Sequence, residues 1–461
     1  MAKARTRKIN TGITESGLSS SLWKLALPLM AGALLQDLFT LADLFFVGRL
    51  GHIEVAALAV SGIIISVIMM AAIGISAGTI ALIAHFIGKK DYNSADSVLF
   101  QTVVVSVVCS AGMALIGLFG TDNLLRAFGT NPEVIPAASG YLKITFGWSI
   151  FIFIFLGLNQ ALRGAGDAMT PLKVLIFANL VNIALDPLFI YGIGFFPRME
   201  VAGSAVATII SRALAVIILL RHLIFSHSFL HFHPGVFKIK PSLIGRMLKI
   251  GFFASFEVLL RQLSIILLLR LVTSFGASCL AACGVGIRLR MAIMMIGFGM
   301  GTASSILIGQ NMGASRPDRA VKSGWKALKY YEMIILPVAV IFFIFSRQIV
   351  AVFSSYPEVV SIGSDFLRFI AVTLPFLASA IILGRGISGA GDTVGPAIMT
   401  GITQLGLRVP IAYALVLFFG MGSNGIWLGV NVSDFFHGLM MMWYFKSNIW
   451  QKRYYAHRAA L

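Results

Sequence analysis

Twelve stretches of about twenty or more mostly apolar residues follow one another along the chain. That succession constrains the fold more than any other feature. A bilayer core of about 30 Å is crossed by roughly 20 helical residues, and a helix satisfies its own backbone hydrogen bonds. The stretches fall near 22–48, 54–87, 97–120, 134–161, 170–195 and 201–224, then 246–274, 278–310, 321–346, 359–387, 394–420 and 423–446. Composition agrees: 58% of the 461 residues are hydrophobic and 12% are charged. Soluble domains carry roughly 25% charged residues, so a soluble chain of this kind would lack a polar surface. The expected fold class is an all-α integral membrane protein of twelve transmembrane helices, with the lipid bilayer as a partner.

The formal net charge is +18. In a soluble protein such an excess suggests nucleic acid. Here the basic residues gather at segment ends, so no nucleic-acid partner is expected. Lys89, Lys90, Arg163, Lys173, Arg221, Lys238, Lys240, Arg246, Lys249, Arg316, Arg319, Lys322 and Lys326 lie in one set of loops, with Lys446, Lys452, Arg453 and Arg458 towards the C-terminus. The opposite loops are short and nearly neutral: Arg49 with Glu54, Asp122 with Arg126, Arg198 with Glu200. Positive charge marks the cytoplasmic side, which puts both termini there. Lys3, Arg5, Arg7 and Lys8 precede an apolar run too long for a signal-peptide core, which reads as a retained first helix. Cys109, Cys279 and Cys283 have no metal-ligand spacing and read as buried, inert thiols. The one true linker, 226–245, carries His227, His231 and His233. With no acid nearby in sequence, it reads as a solvated cytoplasmic connector rather than a metal site.

The two halves align without a gap at an offset of 225 residues, the separation of Lys24 from Lys249. Gly51 meets Gly276, Gly88 meets Gly313, Gly164-Ala-Gly-Asp167 meets Gly389-Ala-Gly-Asp392, and Pro171 meets Pro396. Each half holds six segments, so both halves start in the cytoplasm and the repeats are parallel. The expected organisation is an N-terminal tail (1–21), an N-lobe (22–225), the linker, a C-lobe (246–446) and a C-terminal tail (447–461). A pseudo-twofold along the membrane normal should relate the lobes, with a cleft between them. The Gly-Ala-Gly-Asp phrase is no phosphate loop, because no Lys-Ser or Lys-Thr follows it. Asp167 is placed to cap the helix that begins near Pro171.

Against that repeat, three polar residues were not copied. Asp43 lies near the outer end of the first helix. Asn182 and Asp186 lie one turn apart on the fifth. Their counterparts are Leu268, Leu407 and Ile411. Intramembrane carboxylates are costly and mark function. Two of them in one apolar pocket would hold a proton, and the oxygens of Asp43, Asn182 and Asp186 would equally suit Na⁺. Ser204 and Thr208 on the sixth helix are both candidate hydroxyl ligands. Asp37 faces away from Asp43. In the second half, Glu257 and Arg261 form an i,i+4 ion pair, and Arg408 can pair with Asp434. Arg270, Arg288 and Arg290 are further charges there. The methionines of 291–300 and 440–442 read as packing or lipid-facing side chains.

No nucleotide motif, nucleophile elbow or His-Glu-x-x-His is present. No enzyme activity and no cofactor beyond a coupling H⁺ or Na⁺ is expected. An ion gradient is the expected energy source.

Leu27-Pro-Leu-Met30, Leu41-Ala-Asp-Leu-Phe-Phe-Val-Gly-Arg-Leu-Gly51, Ala56-Ala-Leu-Ala59, Asn159-Gln-Ala-Leu-Arg-Gly-Ala-Gly-Asp167 and Asn182-Ile-Ala-Leu-Asp-Pro187 together resemble the multidrug and toxic compound extrusion (MATE) family over about residues 20–445. The Asp, Asn and Asp pattern is similar to its DNA-damage-inducible-F-like branch. The resemblance implies a monomeric antiporter of a bacterial or archaeal cytoplasmic (inner) membrane. Such a protein exports cationic amphiphilic compounds in exchange for H⁺ or Na⁺. It implies coupling through Asp43, Asn182 and Asp186, with a hydroxyl from Ser204 or Thr208. Gln36, Tyr141, Asn159 and Glu257 are the expected substrate-cavity residues. Coupling through the second lobe would need another acid within 371–388, and none is there. The rival expectation is a flippase for a lipid-linked or amphiphilic anionic precursor. It predicts a cleft lined by cations to hold phosphate, for which Arg261, Arg270 and Arg408 are the candidates.

Overall fold

The computed structural model describes residues 13–226 and 228–459. Among these residues all regular structure is helical. His227 and the basic residues Lys3 to Lys8 lie outside the described residues. The helices are α1 (Leu18–Val47), α2 (His52–Gly88), α3 (Tyr92–Phe119), α4 (Thr121–Ala127), α5 (Ile135–Gly147), α6 (Ser149–Gly164), α7 (Met169–Tyr191) and α8 (Val201–Phe225). After a 3₁₀ turn at Pro234–Val236 come α9 (Pro241–Thr273), α10 (Ala277–Gly313), α11 (Pro317–Ile344), α12 (Ser346–Ala351), α13 (Pro357–Gly389), α14 (Val394–Thr400), a π-helical segment (Gly401–Leu407), α15 (Arg408–Leu417), α16 (Gly422–Lys446) and α17 (Ile449–Ala459).

Among the described residues, nine helices are long and apolar enough to cross a bilayer, or ten if the bent pair α5–α6 is one span. Their outward faces carry large apolar side chains such as Leu115, Leu118 and Phe119 on α3 and Ile217 on α8. Lipid suits such a surface and water does not.

The fourth stretch, expected as one continuous helix, is broken. α5 and α6 meet at Trp148 with a 53° bend. Gly147 weakens the helix there, and α3 crosses so closely that a Cβ on Gly117 would lie 2.5 Å from Phe146 Cβ. The counterpart α13 runs unbroken from Pro357 to Gly389.

The backbone repeats the sequence register. Lys90 and Ser315 take the left-handed conformation at φ 61° and 58°, and Gly166 and Gly391 at 94° and 90°. Asp167 accepts from Thr170 N–H at 2.9 Å, and Asp392 accepts from Gly395 N–H at 3.1 Å. These are helix caps at matched positions.

The chain forms two compact units. Ala31–Gly251, with the described residues up to Glu15, makes one. Ser16–Met30 and Phe252 onward make the other. The division falls inside α1 and α9, whereas the expected lobes begin at 22 and 246. Two glycine contacts explain this. A Cβ on Gly299 would meet Met30 N at 2.6 Å, and one on Gly78 would meet Met247 O at 2.5 Å.

The linker is not the free connector that its composition suggests. Asp96, fully buried on α3, accepts from His231 N–H at 2.8 Å and lies 3.7 Å from His233 Nε2. Gln101 donates to Lys238 O at 2.9 Å and accepts from Lys240 N–H at 3.2 Å. Long-range acids and amides, absent from the linker itself, tie it to α3. No group of three metal-ligating side chains occurs among the described residues.

A carboxylate site in the first unit and an arginine cavity in the second

α7 is shaped to present its polar pair. It ends at Gly192, whose left-handed φ of 72° caps the helix with an N–H to Leu188 O at 3.1 Å. A side chain there would collide with Arg198 N at 2.7 Å, so the glycine is required. The outer end of α1 is fastened to α7 by Tyr191 Oη, which donates to Phe46 O at 2.7 Å. Val47, Ile190 and Val201 pack together beneath it. These contacts bring Asp43 on α1 opposite Asp186 on α7, within hydrogen-bonding reach of each other.

Asn182 and Asp186 have no exposed surface, while Asp43 is half-buried. The buried amide joins the two acids. With its nitrogen towards them, Asn182 donates to Asp43 Oδ1 at 3.2 Å and to Asp186 Oδ2 at 3.1 Å. Its oxygen then accepts from Thr208 N–H at 3.1 Å and Thr208 Oγ1–H at 3.2 Å. Turned over, the amide would present its oxygen to the carboxylates instead, the orientation that a cation or shared proton between them calls for. Of the two candidate hydroxyls, Thr208 therefore meets the site. Ser204 is buried, and its Oγ has no hydrogen-bond partner among the described residues.

Tyr141 is within electrostatic range of both acids. Asn159 is buried but turns its amide to Phe155 O of its own helix at 2.8 Å, not to the carboxylates. Gln36 is exposed on α1, and among the described residues no hydrogen bond joins it to the site. Among the described residues, Asp37 makes no hydrogen bond to Asp43.

Arg212 was not anticipated. It is 6% exposed, interacts electrostatically with Asp43, and lies over the rings of Phe155 at 4.7 Å and Phe39 at 5.2 Å. Its signal was available: Arg212 follows Thr208 by one helical turn, so it shares the same face. The site thus combines two acids with one cation.

The second unit is built from the opposite charge. Arg408 and Arg290 grip the buried Asp434 at 2.6 and 2.8 Å. Arg261 grips Glu257 at 2.8 Å. Arg261, Arg290 and Arg408 line a cavity of about 250 Å³, and Glu257 does not. Met291 and Met294 also line it, so these two methionines serve neither packing nor lipid alone, as composition had suggested. The π-helical segment was not anticipated either. It turns Gln404 inward to Asp434 at 3.3 Å and His437 Nδ1 at 3.1 Å. Ser433 Oγ donates to Thr403 O at 2.8 Å, satisfying a carbonyl in the widened turn.

Buried charges held inside a bundle of long apolar helices are the framework of a multi-pass membrane protein. The MatE family profile matches residues 28–188 and 254–414, and the chain belongs to that family, the multidrug and toxic compound extrusion transporters. It is 29% identical to a probable multidrug resistance protein NorM of Thermotoga maritima, over 95% of this chain and 94% of that one. It is also 26% identical to a FAD transporter of Shewanella oneidensis, over 79% of this chain and 80% of that one. Its fold matches a crystal structure of MATE in the bent conformation with a TM-score of 0.89, at 23% identity and covering 96% and 98% of the two chains.

Proposed function

We propose that the protein is a secondary antiporter of twelve transmembrane helices, with both termini cytoplasmic. It works as a monomer in a bacterial or archaeal cytoplasmic membrane and needs no cofactor beyond its coupling ion. It exports cationic amphiphilic compounds in exchange for H⁺ or Na⁺. The observation that carries this reading is the single buried amide of Asn182 shared by Asp43 and Asp186.

Coupling follows from competition for charge. Empty, the two acids are held by the Asn182 N–H groups and by Arg212. An entering H⁺ or Na⁺ takes the place of those donors, and the amide turns its oxygen inward. Asp43, Asn182, Asp186 and Thr208 are the assigned coupling residues, and these would be the ligands of Na⁺. Tyr141 and Asn159 are assigned to the cargo side. Pro28 and Pro187 lie inside the two acid-bearing helices, where each removes a backbone donor and lets the helix bend.

The test is ethidium efflux from proteoliposomes under an imposed pH gradient and, separately, an imposed Na⁺ gradient. One gradient should drive efflux, and Asp43→Asn should abolish it in a folded protein. Undiminished efflux by that variant would refute the assignment. A second reading, movement of an amphiphilic anion, is favoured by one observation: Arg261 and Arg408, though not Arg270, line a common cavity.

A further inference from the structure

We propose that the second unit carries an anion-binding pocket, distinct from the carboxylate site, for an organic oxyanion borne on a compact apolar or aromatic body. The cavity has two kinds of wall. One is apolar: Phe366 and Trp427, stacked at 4.0 Å between ring centroids, with Leu268 and Met291. The other is polar, and every charged side chain lining it is an arginine: Arg261, Arg290 and Arg408.

The carboxylates that pair with these arginines, Glu257 and Asp434, are not among the lining side chains. Two acids against three arginines leave the cluster one positive charge in excess. A buried cation lacking a full set of partners is costly, and an anion in the cavity relieves that cost. A cationic ligand would raise it.

Donors without acceptors point the same way. Arg408 is 4% exposed and His437 3%, and Arg408 Nε, Arg261 Nε and His437 Nε2 have no hydrogen-bond partner among the described residues. The tautomer of His437 follows from its neighbours. Gln404 Nε2 donates to Asp434 Oδ1, which fixes the amide, so the same nitrogen donates to His437 Nδ1. The neutral ring then carries its proton on Nε2, a donor among the cavity-lining groups. A guanidinium fork beside an imidazole N–H suits a carboxylate, sulfonate or phosphate.

The two units are built with inverted charge. Gly203 presses on Phe189 and Ile190 of α7, and Gly425 on Leu415 and Val416 of α15. At the same distance beyond these glycines stand Arg212 and Asp434. One is a lone cation beside two acids. The other is a lone acid between two arginines.

The test is calorimetric binding of 1-naphthalenesulfonate to the full-length protein in phosphatidylcholine nanodiscs, corrected against empty nanodiscs. Saturable binding is expected, with the uncharged isostere 1-naphthalenesulfonamide at least about tenfold weaker. The paired variant Glu257→Gln/Arg261→Gln removes one lining cation without stranding its acid. It should weaken the sulfonate about tenfold. Arg290→Gln should do the same. Asp434 keeps Arg408 in that variant, so it stays readable if the paired variant does not fold.

Sulfonamide binding as tight as sulfonate overturns the proposal, as does unchanged sulfonate affinity in folded variants. Two sources share this chemistry, and both outcomes that separate them support the pocket. Competition by added phosphatidylglycerol assigns it to a lipid headgroup, and indifference to that lipid assigns it to a solute. No gradient is imposed, so the outcome is independent of whether the first unit couples transport.

Discussion

Asn182→Leu probes the bridge between the two acids. Asn182 is fully buried and donates to one oxygen of each carboxylate, at 3.2 and 3.1 Å. Hydrogen bonds to charged acceptors contribute about 1.5–3 kcal/mol each, and a buried leucine side chain returns about 1.5–3 kcal/mol. The net cost to the fold is on the order of 2 kcal/mol. Most of it should depend on Asp43 and Asp186 being charged. Equilibrium unfolding in mixed micelles, followed by tryptophan fluorescence, measures it. A double-mutant cycle with Asp43→Asn isolates the pairwise part, expected at about 1–3 kcal/mol. Ion-driven efflux should fall with it. A coupling energy below about 0.5 kcal/mol is the additivity of unconnected sites, and would refute the bridge and the coupling scheme built on it.

Arg212→Met should reduce ion-driven efflux at least about tenfold in the proteoliposome assay. Arg212→Lys should retain more activity but lose the flat stacking on Phe155. Gly203→Ala forces a Cβ to within 2.5 Å of Phe189 O and should cost about 1–3 kcal/mol in the same unfolding measurement. Asp96→Ala frees His231 and the linker, so limited proteolysis should cut within residues 228–240 faster than in the parent. Asp122, in the short α4, is held below the usual carboxylate range first by Ser139 and then by Lys143. Its contribution to stability is therefore complete above the normal carboxylate range and lost as pH falls through the depressed value. Asp122→Asn should lower stability at neutral pH and leave it unchanged in strong acid.

The helices and the repeat were legible because both rest on local rules. Twenty apolar residues make a span, and a Gly-x-Gly-Asp turn makes a cap wherever it occurs. Asp43, Asn182 and Asp186 were legible because a charge inside an apolar run is conspicuous. Thr208 could not be told from Ser204, since that choice depends on the rotation of α8 against α7. The role of Asp96 is not legible in the sequence because the backbone N–H it accepts from, that of His231, is 135 residues away. The bend at Trp148 depends on how closely α3 approaches Phe146. The π segment follows from hydroxyls on neighbouring helices, Ser433 and Ser264, that donate to its displaced carbonyls. Arg212 is visible in the sequence one turn beyond Thr208, but its nearness to Asp43 depends on how α8 packs against α1.

The matched caps and left-handed turns also record a history. After an ancestral half was doubled, Gly166 with Gly391 and Lys90 with Ser315 kept one backbone, while the interiors diverged to opposite charge. Scaffold and contents were thus inherited on separate terms. A comparison of relatives weighted by the glycine turns will group proteins by architecture. Sorting the same relatives by the residues at 212, 261, 290, 408 and 434 should group them by cargo.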